Sequence, residues 1–476
     1  MKLPINYFDS KLTGDFLQRI GDHDRIQIFM TNSSLNILFS IFNVVIFGAI
    51  LFLYSKIIFV IFLIGSILYF LWIRIFMKRR AEIDHVHFSQ SSANQSNMVQ
   101  MITGMQEIRL NSCEHQKIWE WQNIQAKLFD LRIKGLALAQ YQDSGALLIN
   151  QIKNIIITFL AAKLVIESQI TLGMMLSIQY ILGQLSGPID QLIVFLRQTQ
   201  DAKLSLDRLS EIRGKSDEEP INVNKIYEIP SHKNLIMENV SFAYNTTSVG
   251  ENVLHHVNLK IESNKQTAIV GMSGSGKTTI IKLLLGYYQI KEGKILLDTI
   301  DLNSYSWKKW RQKCGVVMQD GFIFSDTIAR NIAPGVEIID KKKLANAVNI
   351  ANIKEFIESL PLSYNTKIGS EGHGLSQGQK QRILIARAVY KDPEFVFFDE
   401  ATNALDANNE REIINNLKVF FEKKTVLIVA HRLSTVRHAD KIIVMDNGKI
   451  VEEGKHDELV NQKGVYYNLV KNQLEL

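Results

Sequence analysis

GMSGSGKT, Gly271 to Thr278, is the stretch that decides the fold. An apolar run, Thr267, Ala268, Ile269 and Val270, precedes it, and a helix-favouring run, Ile280 to Leu285, follows. Strand, glycine loop, helix is the context in which G-x-x-x-x-G-K-T cradles phosphate. Three further pieces follow in order: LSQGQKQR from Leu375, FVFFDE from Phe395 and VAHR from Val429. Each supplies a different part of one site, and the ordered set implies that the chain binds and hydrolyses ATP.

The loop residues divide the work. Gly271, Gly274 and Gly276 let backbone N–H groups face phosphate oxygens without a Cβ in the way, and Ser273, Ser275 and Thr279 complete the expected nucleotide-binding set. Lys277 is expected to reach the β- and γ-phosphates and Thr278 to ligate Mg²⁺, with the positive end of the next helix aimed at the anion. In FVFFDE, four apolar residues form a buried strand that delivers Asp399 to hold Mg²⁺ through water and Glu400 to polarise the attacking water. From about Asn234 strands, turns and helices alternate with short loops, the pattern of an α/β domain with a parallel-rich sheet.

The first half reads differently. At 476 residues two domains are expected, and nearly all the long apolar runs lie before residue 200. Ile26 to Ser55 holds no charged residue, and a second run, Ile57 to Ile73, ends at Arg74 and Lys78-Arg79-Arg80. About 20 apolar residues cross a bilayer as helix, so both runs qualify, joined as a hairpin at Tyr54-Ser55-Lys56. Ala146 to Ile166 is a weaker third span, carrying Lys153 and Lys163, and Ile170 to Leu196 a fourth, broken by Gly183, Gly187-Pro188 and Asp190. Met77 to Gln140 is polar and helix-favouring and reads as two long helices reversing near Gly104 to Ser112. Its density of Lys and Arg puts it in the cytoplasm, and four spans put both termini there too. Lys153 and Asp190 fall in the inner half of the bilayer, either as a charged pair lining a substrate cavity or as interfacial, solvated charges.

Bulk numbers narrow the class. A net charge of +6 carries no nucleic-acid message, and no nucleic-acid partner is expected. Cys113 and Cys314 lie far apart without metal spacing, which fits a reducing cytosolic face. The expected organisation is a multi-domain chain: residues 1–213 an all-α transmembrane bundle of four spans, 214–233 a linker, and 234–476 an α/β P-loop ATPase.

These residues resemble the nucleotide-binding domain of ATP-binding cassette transporters, across essentially all of Asn234 to Leu476. The resemblance implies further roles. Tyr244 in SFAY resembles the aromatic that stacks on adenine, with a core tyrosine as the bland alternative. Gln319 in VVMQD is similar to the glutamine that senses Mg²⁺ and contacts the membrane domain. Leu375 to Gln379 matches the LSGGQ signature with Gln377 in place of a glycine, and Ser376, Gly378 and Gln379 are then expected to complete the nucleotide site of the opposite subunit. Asp406 in NALD resembles the loop that crosses the dimer interface, with Asn403 where serine is usual, and His431 the histidine that contacts the γ-phosphate. A second copy or a homologous half-transporter is implied as partner, and a homodimer would carry two competent sites.

The first half resembles the exporter type of the same family, through LPINYFDSKLTGDFLQRIGD and GMQEIRLNSCEHQKIWEW as its two cytoplasmic coupling loops. It is most similar to bacterial exporters of peptides with double-glycine leaders, less their N-terminal peptidase domain and first two membrane helices. The implied function is ATP-driven export by alternating access across the bacterial cytoplasmic membrane, with a peptide as the favoured cargo. Open beside it stand a lipid, drug or protein exporter of the same family, and a truncated remnant that keeps an ATPase domain. The apolar spans argue against a soluble ATPase acting on nucleic acid.

Overall fold

The computed structural model describes residues 2–9, 11, 13–215, 217–219, 224–244, 252–369, 372–403, 405–430 and 432–474. The chain divides into two compact units, Tyr7–Ser216 and Asp217–Leu476, the latter joined by Met1–Asn6.

The first unit is all helix. Helix α1 (Thr13–Ile28) runs through a π-helical turn, Phe29–Ser33, into α2 (Ser34–Tyr54). Ser55 is extended (φ −159°) and reverses the chain into α3 (Lys56–Thr103), which continues unbroken from the apolar run into the polar one. A short helix, α4 (Met105–Leu110), turns the chain into α5 (Glu114–Ile166), and α6 (Leu172–Arg213) closes the unit. Leu51, Ile58, Phe62, Ile157, Ala161, Ile178 and Leu185 are buried together between these helices. Many equally apolar residues face outward, Leu53 at 80% and Phe159 at 68% exposure, which water would penalise and lipid does not.

Among the described residues three helices are long and apolar enough to cross a membrane: Thr13–Tyr54, Lys56–Thr103 and Glu114–Ile166. The fourth expected span, within α6, is not among them, because Gln179, Gln184, Asp190 and Gln191 dilute its apolarity. Its polar groups turn onto neighbouring helices instead. Gln179 donates to Thr158 Oγ1 (2.7 Å), Asp190 accepts from the Tyr69 hydroxyl (2.9 Å), and Gln191 bonds to Ser40. Nor is the span broken: α6 passes through Gly183, Gly187 and Pro188 without interruption. In an apolar medium a broken helix strands backbone groups that no water can satisfy, so the helix persists where propensity alone would end it.

In the second unit the strands are β1 (Leu235–Phe242), β2 (Leu254–Ile261), β3 (Gln266–Gly271), β4 (Glu292–Leu297), β5 (Ile300–Asp301), β6 (Cys314–Val317), β7 (Asp326–Thr327), β8 (Lys367–Ile368), β9 (Phe395–Asp399), β10 (Thr425–Val429), β11 (Lys441–Asp446) and β12 (Lys449–Gly454). The core sheet has the order β12-β11-β3-β10-β9-β6, parallel except for the β11–β12 pair, and β2-β1-β4-β5 form an antiparallel sheet. Central strands buried on both faces read as continuous apolar runs, which is why VFF and VLIV carry no alternation. Alternate residues nevertheless serve different cores. Ile269, Phe397, Leu427 and Val429 pack with Ile280, Ile281 and Leu284 of α7 (Lys277–Leu284). Ala268, Val270, Phe398 and Ile428 pack with Ile383, Leu384 and Ile385 of α8 (Gln377–Tyr390). The phosphate-loop helix and the signature helix therefore cover opposite faces of one sheet.

The stretch expected to be linker is partly held on this unit. Glu219 accepts from Ser306 Oγ (3.0 Å) and Lys308 N (2.8 Å), Glu218 pairs with Arg311, and Ile226 bridges to Tyr305.

Candidate functional site

Register sets the site. Val429 is paired with Ile269 on one side and Asp399 on the other, so β10 and β9 end at one level and β3 runs two residues past it. Past that edge lie the loop after β3 and the Asp399-Glu400 step at the end of β9. Crevices at the carboxyl ends of parallel strands are where such sheets bind ligands.

The loop is shaped by two left-handed glycines, Gly274 (φ +82°) and Gly276 (φ +98°), the second being the N-cap of α7. A Cβ on Gly276 would lie 2.6 Å from Leu254 Cδ2, and one on Gly271 would lie 2.3 Å from the Met445 carbonyl oxygen. Ser273 faces solvent, whereas the Ser275 hydroxyl is buried with no hydrogen-bond partner among the described residues. The Lys277 ammonium folds back over the loop and donates to the carbonyls of Gly271 and Met272, each at 2.8 Å. Burial lowers the Lys277 pKa, against the opposing pull of Glu400 and Asp399.

Asp399 is 1% exposed, and neither of its carboxylate oxygens has a hydrogen-bond donor among the described residues. Burial pushes its pKa up, helped by Glu400 and opposed by the Thr278 hydroxyl and by Lys277 and Lys282. Two buried, unpartnered carboxylate oxygens beside a threonine hydroxyl at a helix start suit a hard cation. No cluster of three His, Cys, Asp or Glu occurs among the described residues, so the remaining ligands would be water and phosphate, as Mg²⁺ prefers.

Glu400 adopts φ +52°, a left-handed backbone uncommon for a residue with a side chain. Its N–H donates to the Val429 carbonyl (2.9 Å), and its carboxylate accepts from Asn403 Nδ2 (2.6 Å). Sequence reasoning noted Asn403 as a replacement for serine and missed that it holds Glu400. Its spacing of three residues from Glu400, across a turn, is the signal that was available.

Tyr244 places its hydroxyl 3.0 Å from Thr279 Oγ1, with its ring edge-on to Phe242 and Tyr288 and Lys282 5.8 Å from its centroid. At 44% exposure it is not a core tyrosine, and it is anchored to the phosphate-loop helix. Gln319 lies two residues past β6, exposed. His431 lies outside the described residues.

The signature residues also serve their own helix. Ser376 caps α8 through a reciprocal box: its Oγ accepts from Gln379 N (3.2 Å), and its own N–H donates to Gln379 Oε1 (2.8 Å). A Ser-x-x-Gln sequence satisfies its own helix start in this way, so the Ser376 N–H is engaged locally, not presented to an anion. Gly378, inside the first turn, keeps an N–H with no intrahelical partner. Asp406 caps the helix Ala407–Phe421, accepting from Asn409 N (3.0 Å) and Asn409 Nδ2 (2.6 Å). None of these motifs shares a sheet face with the phosphate-loop helix.

The ABC transporter family profile matches residues 254–403, and the ABC transporter transmembrane region profile matches residues 1–189. The whole chain is 34% identical to the leukotoxin export ATP-binding protein LtxB of Aggregatibacter actinomycetemcomitans, covering 67% of that protein. It is 33% identical to the leukotoxin translocation ATP-binding protein LktB of Mannheimia glucosida, covering 66%. The chain thus spans about two thirds of the length of these relatives. A solved structure of a bacterial Atm1-family ABC exporter with ATP bound superposes with a TM-score of 0.91 at 26% identity, over 99% of this chain and 82% of that one.

Proposed function

The chain belongs to the ABC transporter family, and we propose that it is one half of an ATP-driven exporter whose cargo is a polypeptide. Its ATPase unit is a transport-coupled ATP hydrolase. The observation that carries the reading is the convergence of polar groups at one sheet edge: the Lys277 ammonium, held over the phosphate loop by two carbonyls, and the buried Asp399 oxygens, which have no hydrogen-bond donor among the described residues. An anion bearing a divalent cation would answer all of them together.

In this reading Lys277 exchanges its two carbonyls for phosphate oxygens, and the N–H groups from Gly271 to Thr279 orient the chain of phosphates. Thr278 and Asp399 would hold Mg²⁺, which when bound neutralises charge developing on the transferred phosphoryl group. Glu400, fixed by Asn403, aligns the attacking water and accepts its proton, and His431 and Gln319 contact the γ-phosphate end. Tyr244 lies against the adenine. Ser376, Gly378, Gln379 and Asp406 act on the nucleotide of a second chain, because their helices start from the other face of the sheet. A dimer is therefore required, and ATP closes it. The membrane unit lies in the bacterial cytoplasmic membrane with the ATPase unit in the cytoplasm, and the linker at about 214–233 joins them.

The names of the relatives favour a protein over the short peptide that the leader-peptide resemblance suggested. Secretion by cells carrying the wild-type chain or Glu400→Gln tests this. Loss of a secreted protein from the medium of the variant supports the reading, and loss of short peptides alone overturns it.

A further inference from the structure

A cavity of 340 Å³ opens in the helical unit between α3, α5 and α6. Its polar lining includes Arg80 and His87 from α3, Arg132 and Gln142 from α5, and Arg197 from α6. Arg197 directly follows the last apolar residue of its run, Leu196, and Arg80 lies seven residues beyond Ile73. At ~1.5 Å per residue this is roughly 10 Å past the end of the span. The Arg197 end of the cavity therefore lies nearest the phospholipid headgroups, and its other end, at His87 and Arg132, reaches roughly 20 Å past the spans.

The charges leave a surplus. Asp84, the acid of the lining, is turned to Arg208 (3.2 Å) and Arg25 (3.7 Å). Arg80 pairs with Asp201 (2.8 Å), and Arg197 pairs through Nη2 with the outward-facing Asp143 (2.6 Å). Arg132 has no ion pair or hydrogen bond among the described residues, and Arg197 Nε is buried without an acceptor. One unpaired cation and one unmet buried donor thus border a cavity whose other walls, Ile83, Leu131 and Leu138, are apolar.

We propose that this cavity binds the phosphodiester headgroup of an anionic phospholipid of the cytoplasmic leaflet. A single negative charge matches the single surplus cation, planar guanidinium groups suit phosphate oxygens, and the apolar walls suit the glycerol and first methylenes. The volume accommodates a headgroup entering from the Arg197 end, with Arg132 reaching it from the far wall and the acyl chains directed back toward the bilayer. An acidic peptide fits less well. Its N–H groups need acceptors, and the carboxylate of the lining is already engaged by Arg208 and Arg25.

The test uses the full chain, purified in detergent and delipidated, with bound lipid counted by native mass spectrometry. Phosphatidylglycerol, phosphatidylcholine, glycerol 1-phosphate and a polyglutamate peptide are titrated separately. Phosphatidylglycerol is expected to bind, and Arg132→Gln or Arg197→Gln to weaken it about tenfold. Arg132→Lys should recover part of that loss. Arg132 is exposed and unpaired, so Arg132→Gln should leave the melting temperature and ATP binding unchanged. Wild-type lipid affinity in Arg132→Gln would overturn the proposal. So would equal binding of phosphatidylcholine, equal binding of glycerol 1-phosphate, which would make the ligand a soluble phosphate, or preferential binding of polyglutamate.

Discussion

Two buried lysines, one in each unit, set the halves of this molecule side by side. Lys277 is 5% exposed and Lys153 6%. Lys277 donates to two loop carbonyls and lies within the electrostatic reach of Asp399, whose buried oxygens have no donor among the described residues. Lys153 lies with its Nζ 4.7 Å from the Phe62 ring centroid, its stem filling the space left by Gly65. It forms no ion pair with Asp190, which accepts from Tyr69 instead. Residue type and burial are alike in the two places. What separates them is the neighbourhood, loop carbonyls and a buried carboxylate around Lys277 against an aromatic ring around Lys153, and the convergence of polar groups, more than buried charge, marks a ligand site.

The largest expected effect breaks the convergence at its centre. Lys277→Ala removes the donor that answers the phosphates, so ATP affinity should fall, and turnover should drop on the order of 10³-fold, as when a preorganised donor to a transferring group is lost. Phosphate release and fluorescent-nucleotide binding read the two together, and activity near wild type would take Lys277 out of the site. Glu400→Gln should separate them. The carboxamide keeps the shape and the Asn403 contact but cannot accept a proton, so turnover should fall roughly 10²–10⁴-fold while ATP stays bound and holds two chains together. A monomer with normal nucleotide affinity would remove the dimer from the scheme.

Asp399 sharpens the contrast through pH. Its carboxyl is raised by burial, and a proton competes with a metal for the same oxygens. Metal affinity should therefore weaken as pH falls through that raised value. Mn²⁺ titration of wild type at successively lower pH checks this at about tenfold per unit below the pKa, and Asp399→Asn should abolish the slope. In the metal-free protein the sign reverses. A carboxyl whose folded pKa exceeds its unfolded one stabilises the fold at low pH, and that contribution is lost as pH rises through the window. A smaller effect is expected at Asn403. Its alanine variant releases the Glu400 carboxylate, so kcat should fall about tenfold with KM nearly unchanged, since a positioned group is lost and no binding group is removed.

These sites were legible to different depths for physical reasons. GMSGSGKT and FVFFDE could be read residue by residue because backbone geometry fixes both their chemistry and their spacing, and only glycine tolerates φ at 274 and 276. Asn403 and Gln379 were not, although the three-residue spacing to Glu400 and the Ser-x-x-Gln box both stand in the sequence, since spacing brings such partners near without fixing which groups bond. In the helical unit the second span and its polar extension were plain, but α6 was expected to break at Gly183, Gly187-Pro188 and Asp190. Helix propensities are measured in water, and there the backbone groups freed by a break find partners. Inside an apolar medium they do not, and the same sequence stays helical.

The smallest effect is expected at the other lysine. Lys153→Met keeps the stem against Gly65 and the contact with Phe62 while removing a charge that has no anionic partner within ion-pair distance among the described residues. Taking an unpaired charge out of a buried site relieves desolvation and abandons no hydrogen bond, the opposite of what happens at Lys277. The melting temperature in lipid should therefore equal or exceed wild type, and basal ATPase should hold within about twofold, the scatter of surface substitutions of ~0.5 kcal/mol. Asp190→Asn, which keeps an acceptor for Tyr69, should be as mild. A large loss of cargo-stimulated ATPase in Lys153→Met, with basal activity intact, would make this lysine a contact for cargo and erase the distinction between the two.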